Sequence, residues 1–283
     1  MKKILLSITI ITLSLLQVKA QDTTNQSKQN STDMNRIERT EKTYKELFGQ
    51  DITASKTDPE LMTILQRFIF GEVFYAGNLD NKTRELITIT TLTVNQMLPQ
   101  LKAHTNAALN VGVKPIEIRE SIYQIAPFIG FPKVLNALDT INNVFERRGI
   151  QLPLQNEGIV QEDERLEKGK EMQVPLYGSG MKAAMKDLPG GFDTIVPDML
   201  TTSLFADFYT RGGLDLKTRE LLIYCALATL GGTERQMASH AVGNLKVGNS
   251  KQTLIAAMVQ CYPYIGFPRI SNAINILKDA KLE

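Results

Sequence analysis

Residues 79–86 read LDNKTREL and residues 214–221 read LDLKTREL, so one unit is written twice in this chain of 283 residues. Each copy carries one of the only two histidines, His104 and His240, at matched positions. Downstream, Phe128-Ile129-Gly130-Phe131-Pro132 returns as Tyr264-Ile265-Gly266-Phe267-Pro268; upstream, the spacing from Arg36 to Gly49 returns from Arg165 to Gly178. The offset is 129 residues at the start, 135 through the TREL segment and 136 from the histidines onward, so insertions fall between elements. Such a period is far longer than the roughly 20 to 50 residues of solenoid repeats, which makes this a duplicated domain.

Local patterns predict helices. Asp80 stands before Lys82-Thr83-Arg84-Glu85 and the apolar set Leu86, Ile87, Ile89 and Leu92, as an N-cap before a buried helix; Asp215 does the same in the second copy. A second helix begins near Leu98-Pro99 or Thr233-Glu234 and ends toward Gly112 or Gly248, both suited to a left-handed cap. On it Leu101, His104, Ala108 and Val111 recur at spacings of three and four, which puts His104 on the buried face. A third helix is predicted from Pro115 to Ala126 and a last from Lys133 to Arg147. No strand-like alternation with hairpin turns occurs in either copy. The expected fold is all-α: two tandem helical-bundle repeats, residues 36–149 and 165–283, joined by a linker at 150–164 and packed as a pseudo-dimer.

Met1-Lys2-Lys3, a largely apolar run from Ile4 to Leu16 and then Val18-Lys19-Ala20 have the three parts of a secretory signal peptide. Cleavage after Ala20 is expected, with residues 21–35 a polar leader and the mature protein exported, in the periplasm. Residues 1–20 hold three lysines and no acid, leaving 29 basic against 30 acidic side chains. That balance excludes the basic stripe of a nucleic-acid binder, and no other stretch suits a membrane span. Cys225 and Cys261 sit in apolar helical runs and read as packed free thiols rather than a disulfide.

Each copy repeats one constellation of chemistry-bearing residues: Arg84, Glu85, His104 and Glu72 in the first, Arg219, Glu220, His240 and Asp207 in the second. A carboxylate beside an imidazole fixes its tautomer and poises it as a general acid or base, and an arginine nearby can clamp a substrate carboxylate. A histidine bonded to a glutamate on a neighbouring helix is equally a satisfied core pair, and residue types alone leave both readings open.

The combined pattern, GEV, LDxKTREL, QLxxHxxxAL, VG, EIxE and FxGxP, resembles the carboxymuconolactone decarboxylase family, whose relatives include alkylhydroperoxidase D. The resemblance runs from about Arg36 to Val144 and from Arg165 to Asp279. It implies an all-helical fold that assembles as trimers or hexamers, so a homotrimer of two-repeat chains is expected. The alkylhydroperoxidase branch uses a CxxC pair, but Met97 and Gln100, or Thr233 and Gln236, stand at those positions here. The thiol-free, cofactor-free decarboxylase branch fits better. By that resemblance His104 and His240 would deliver a proton to the carbon losing carbon dioxide, Glu85, Glu72 or Glu220 would orient them, and Arg84 or Arg219 would hold a carboxylate. The expected partner is a small carboxylated lactone or oxo-acid, with no metal; the alternatives are a peroxidase-like protein using Cys225 and Cys261, or a non-catalytic binding protein. The first copy is expected to be the better site, because it keeps Glu72, Glu117 and Glu120 where the second has Asp207, Thr253 and Ala256.

Overall fold

The computed structural model describes residues 34–282, so the expected signal peptide and leader residues 21–33 lie outside the described residues. Among the described residues there is no strand, and no helix is long and apolar enough to cross a membrane. The first copy comprises α1 (Arg36–Phe48), α2 (Pro59–Gly71), α3 (Asn81–Val94), α4 (Leu98–Asn110), α5 (Pro115–Tyr123), the short α6 (Ala126–Ile129) and α7 (Phe131–Arg147). The second comprises α8 (Arg165–Tyr177), the short α9 (Gly180–Ala184) and α10 (Phe192–Leu200), which runs into a π-helix (Thr201–Tyr209). It continues with α11 (Leu216–Leu230), α12 (Glu234–Lys246), α13 (Lys251–Ile265) and α14 (Phe267–Asp279).

The caps act where their residues predict. Asp80 Oδ1 accepts the Thr83 N–H and Asp215 Oδ1 the Thr218 N–H, each at 2.7 Å, an arrangement typically worth about 1 kcal/mol. Gly112 and Gly248 take φ of 85° and 88° just past α4 and α12, a conformation that side chains with a Cβ disfavour. Asn35, at the end of the expected leader, instead caps α1 and exchanges hydrogen bonds with Glu38.

The two central helices, α3 and α11, are buried along almost their whole length, from Arg84 to Val94 and from Arg219 to Thr229. They pack on each other, and α13 of the second copy packs on α3 of the first. One hydrophobic core therefore serves both copies, running through Ile87, Leu92, Ile122, Ile223, Ala257 and Met258. Polar contacts cross the same seam in pairs. Arg84 Nη1 donates to Gln260 Oε1 at 3.0 Å, and the equivalent Arg219 Nη1 donates to Gln124 Oε1 at 3.4 Å. Residue i of one copy meets j of the other and the reverse, the signature of an isologous dimer interface, here within one chain.

Candidate functional site

The seam leaves a histidine–glutamate pair in each copy, with the glutamate on the central helix and the histidine on the next. His104 Nδ1 lies 2.9 Å from Glu85 Oε2, and His240 Nδ1 lies 3.1 Å from Glu220 Oε2. Both carboxylates are fully buried and both imidazoles nearly so. Each ring also meets an aromatic from the opposite copy edge-on, Tyr264 against His104 and Phe128 against His240. Thus each site is completed across the seam.

Beyond that shared frame the sites differ by hydroxyl groups. In the second copy Tyr177 Oη donates to Glu220 Oε1 at 2.6 Å and lies 2.7 Å from His240 Nδ1, while Tyr209 Oη donates to the same Oε1 at 2.6 Å. Burial first, then the Glu220 charge, pushes both phenols well above their ordinary range, so they remain protonated donors. The repeat register puts Phe48 and Phe74 at the equivalent positions of the first copy. There Glu85 Oε1 accepts no protein hydrogen bond, and the Tyr264 hydroxyl, though near Thr88, has no partner in good geometry.

Helix α12 is shaped for the extra hydroxyl. A Cβ on Gly243 would lie 2.6 Å from Tyr177 Oη and 2.9 Å from Glu220 Oε2, whereas the first copy has Ala107 opposite Phe48. Gly243→Ala is expected to destabilise the protein by about 1–3 kcal/mol through overpacking. Adding Tyr177→Phe, which rebuilds the first copy's pair, is expected to return most of that loss. Thermal unfolding of both variants reads the difference, and additive losses would refute the steric account.

A cavity of about 550 Å³ opens in front of His240. The π-helix supplies Leu204 and Phe205, and Met181 and Met185 come from the segment at α9. That segment lies where the register between copies jumps from 129 to 135, so an insertion builds this wall. The ring nitrogen left free by the Nδ1 contacts is His240 Nε2. Arg235, Gln236 and Ser239, exposed on α12, complete the lining with Gln173.

Several expected roles change. Arg84 and Arg219, read as carboxylate clamps, are buried and spent on the fold. Arg84 donates to the carbonyls of Val73, Ala76 and Leu79, and Arg219 to those of Arg211 and Gly212. Neither guanidinium is available to a substrate. Glu72 pairs with Arg36 at 2.5 Å and Asp207 with Arg165, which ties the first helix of each copy to the segment before its TREL helix. Glu117 caps α5 through the Lys114 N–H. Glu120 crosses the seam to Arg211 and Arg219, away from His104. The acids that favoured the first copy are therefore structural, and the cavity lies at the second. Cys225 and Cys261 are free and fully buried, and burial pushes the Cys225 thiol well up, so Cys225 offers no thiolate nucleophile.

Sequence reading passed over Tyr177, Tyr209, Gly243 and Arg235. The signal was present in the alignment of the copies: two Phe-to-Tyr exchanges, an Ala-to-Gly exchange and an insertion, all in the second.

A duplicated bundle with a buried glutamate on each central helix bonded to a histidine on the next defines a class of all-helical, two-repeat proteins. Residues 59–142 and 196–279 each match the carboxymuconolactone decarboxylase family, and the chain belongs to that family as a tandem two-repeat member. An uncharacterized 15.0 kDa protein from the nqo9-nqo10 intergenic region of Paracoccus denitrificans is 36% identical over 92 residues, 32% of this chain and 69% of its own. Nitrosuccinic acid decarboxylase npaB of Metarhizium robertsii is 29% identical over 94 residues, 32% of this chain and 66% of its own.

Proposed function

We propose that this protein is a thiol-independent, cofactor-free acid–base enzyme of the decarboxylase type, acting on a small carboxylated substrate in the second copy. One observation carries the reading: His240, its Nδ1 engaged by Glu220 and Tyr177, lines a cavity of ligand size. The similarity to a nitrosuccinic acid decarboxylase supports the reaction type.

In the proposed step the bond from the substrate carbon to its carboxylate breaks and carbon dioxide leaves. The electron pair passes into a neighbouring electron-withdrawing group of the substrate. His240 Nε2–H then delivers a proton to the carbon, and water restores the proton to the ring. Glu220, already accepting from two phenols, offsets the charge of the imidazolium and holds the Nδ1–H tautomer. Leucine, methionine and phenylalanine walls take the apolar body of the substrate and leave its carboxylate at the polar α12 side, next to His240. Arg235 is the cation at this cavity that can draw an acid in. The first copy, without the two phenols, keeps the fold and completes the second site with Phe128.

The test is carbon dioxide release from a panel of oxo-acids and carboxylated lactones by the purified protein. Release by wild type is expected, and Tyr177→Phe should lower it about 10- to 100-fold, the kinetic weight of one hydrogen bond to a charged group. No release from any member, or equal rates in the variant, would count against the reading. For assembly, we propose three chains in a six-repeat ring, which a monomer in light scattering would refute.

A further inference from the structure

We infer that the cavity at His240 selects monocarboxylic acids with a medium-length apolar body, such as an alkyl chain or a hydrocarbon ring, over short or dicarboxylic acids. This rests on the reading of that cavity as the substrate site, and adds to it from the chemistry of the walls.

Three features of the lining set the class. First, the lining from outside α12 is mostly apolar: Met181 and Met185 at α9, Leu200 at the end of α10, Leu204 and Phe205 on the π-helix, and Phe128 from the first copy, with Gln173 and Tyr177 of α8 as the polar members. Apolar walls of this kind reward hydrocarbon at a few-fold in affinity per methylene and give nothing to a small polar acid. Methionines at the rim adapt to chains of different shape.

Second, the lining holds one permanent charge. Among the described residues that line the cavity there is no aspartate or glutamate, and Arg235 is the only lysine or arginine. Arg235 is exposed and makes no ion pair among the described residues, in contrast to Arg84, Arg165, Arg211 and Arg219, whose guanidiniums are held by protein groups. One carboxylate is matched; a second would be pressed against leucine and methionine with no cation to meet it, at the cost of its hydration.

Third, the polar groups are few, and four of them lie together on α12. Arg235, Gln236, Ser239 and His240 fall within about one and a half turns of α12, and a rise of about 1.5 Å per residue keeps Arg235 and His240 roughly 7.5 Å apart along the axis. Gln173 is nine-tenths buried at the inner wall, one end of its amide 2.6 Å from the Thr201 hydroxyl and the other without a protein partner. An acid would lay its carboxylate between Arg235 and His240, with an oxo group in reach of a polar partner and its hydrocarbon against the opposite wall.

Isothermal titration calorimetry with the full chain tests this with sodium butyrate, hexanoate, octanoate and decanoate, the dicarboxylate suberate and neutral 1-octanol. Affinity is expected to rise about fourfold per methylene from butyrate upward until the cavity is filled. Suberate should bind at least about tenfold more weakly than octanoate. Arg235→Gln should weaken octanoate about tenfold or more while leaving 1-octanol unchanged, which also reports that the variant is folded. Flat affinity along the series, suberate as tight as octanoate, or octanoate indifferent to Arg235→Gln would each overturn the assignment. The reading beneath it fails separately: chain-length-dependent octanoate binding with no decarboxylation of any oxo-acid would remove the enzyme and keep the ligand class. Turnover that prefers short diacids would do the reverse.

Discussion

His240→Asn is expected to lose turnover by about 100-fold or more while unfolding close to wild type. The substitution is chosen for geometry: the asparagine amide nitrogen falls near the imidazole Nδ1, so a donor toward Glu220 Oε2 survives and only Nε2, the atom left to the cavity, is lost. General acid or base work typically contributes about 100- to 10,000-fold, whereas one retained hydrogen bond in a packed site changes stability by about 1 kcal/mol. His104→Asn, made on the copy with Phe48 and Phe74 in place of the two phenols, should leave turnover within a few-fold. Steady-state rates and thermal melts of the two variants separate the copies. Equal losses in both would mean that the sites act together, and a loss that tracks unfolding would make the histidine a packing residue.

The largest expected stability effect lies elsewhere, at Glu120. Its carboxylate is fully buried and accepts from Arg211 at 2.9 and 3.0 Å, from Arg119 at 3.0 Å and from Arg219 at 3.3 Å. Glu120→Gln keeps the shape and removes the charge, leaving three arginines facing one another at the seam. Breaking a buried pair by removing one partner typically costs about 3–5 kcal/mol, which for a protein of this size lowers Tm by roughly 10 °C or more. The replacement Glu120→Gln with Arg211→Gln should lose less than the two singles together, because the Arg211 charge left unmatched by Glu120→Gln is removed as well. A melt that moves by less than a couple of degrees would place the stabilisation of the seam wholly in its hydrocarbon.

The same carboxylate dictates a pH dependence. Burial alone would raise the Glu120 carboxyl, but the hydrogen bond and charge of Arg211, then Arg219 and Arg119, outweigh it and hold it below its ordinary 4.5. A depressed folded-state value means that the unfolded chain takes up the proton first as pH falls. The stabilisation is therefore complete above about pH 4.5 and is lost progressively below it. In the Glu120→Gln variant that part of the acid destabilisation should disappear.

Duplication, helix spans and caps were legible in the residues because each is local. Asp80 and Asp215 cap helices wherever the chain places them, the spacing around His104 puts it on a buried face, and the TREL repeat aligns the copies without reference to any contact. His104 with Glu85 and His240 with Glu220 were legible for the same reason: the repeated register keeps each pair on two successive helices. Arg84 and Arg219 were read for substrate because an arginine beside a glutamate carries no mark of direction. Only the packed seam, which turns them toward backbone carbonyls, Gln260 and Gln124, decided that they hold the fold. Likewise Glu120 belongs to the first copy in sequence and to Arg211 and Arg219 of the second in space, a pairing between residues 91 and 99 positions apart that no local pattern encodes. The cavity was decided last of all, since an insertion, a π-helix and an exchange of phenylalanine for tyrosine have no meaning until α8, α11 and α12 bring them around one imidazole.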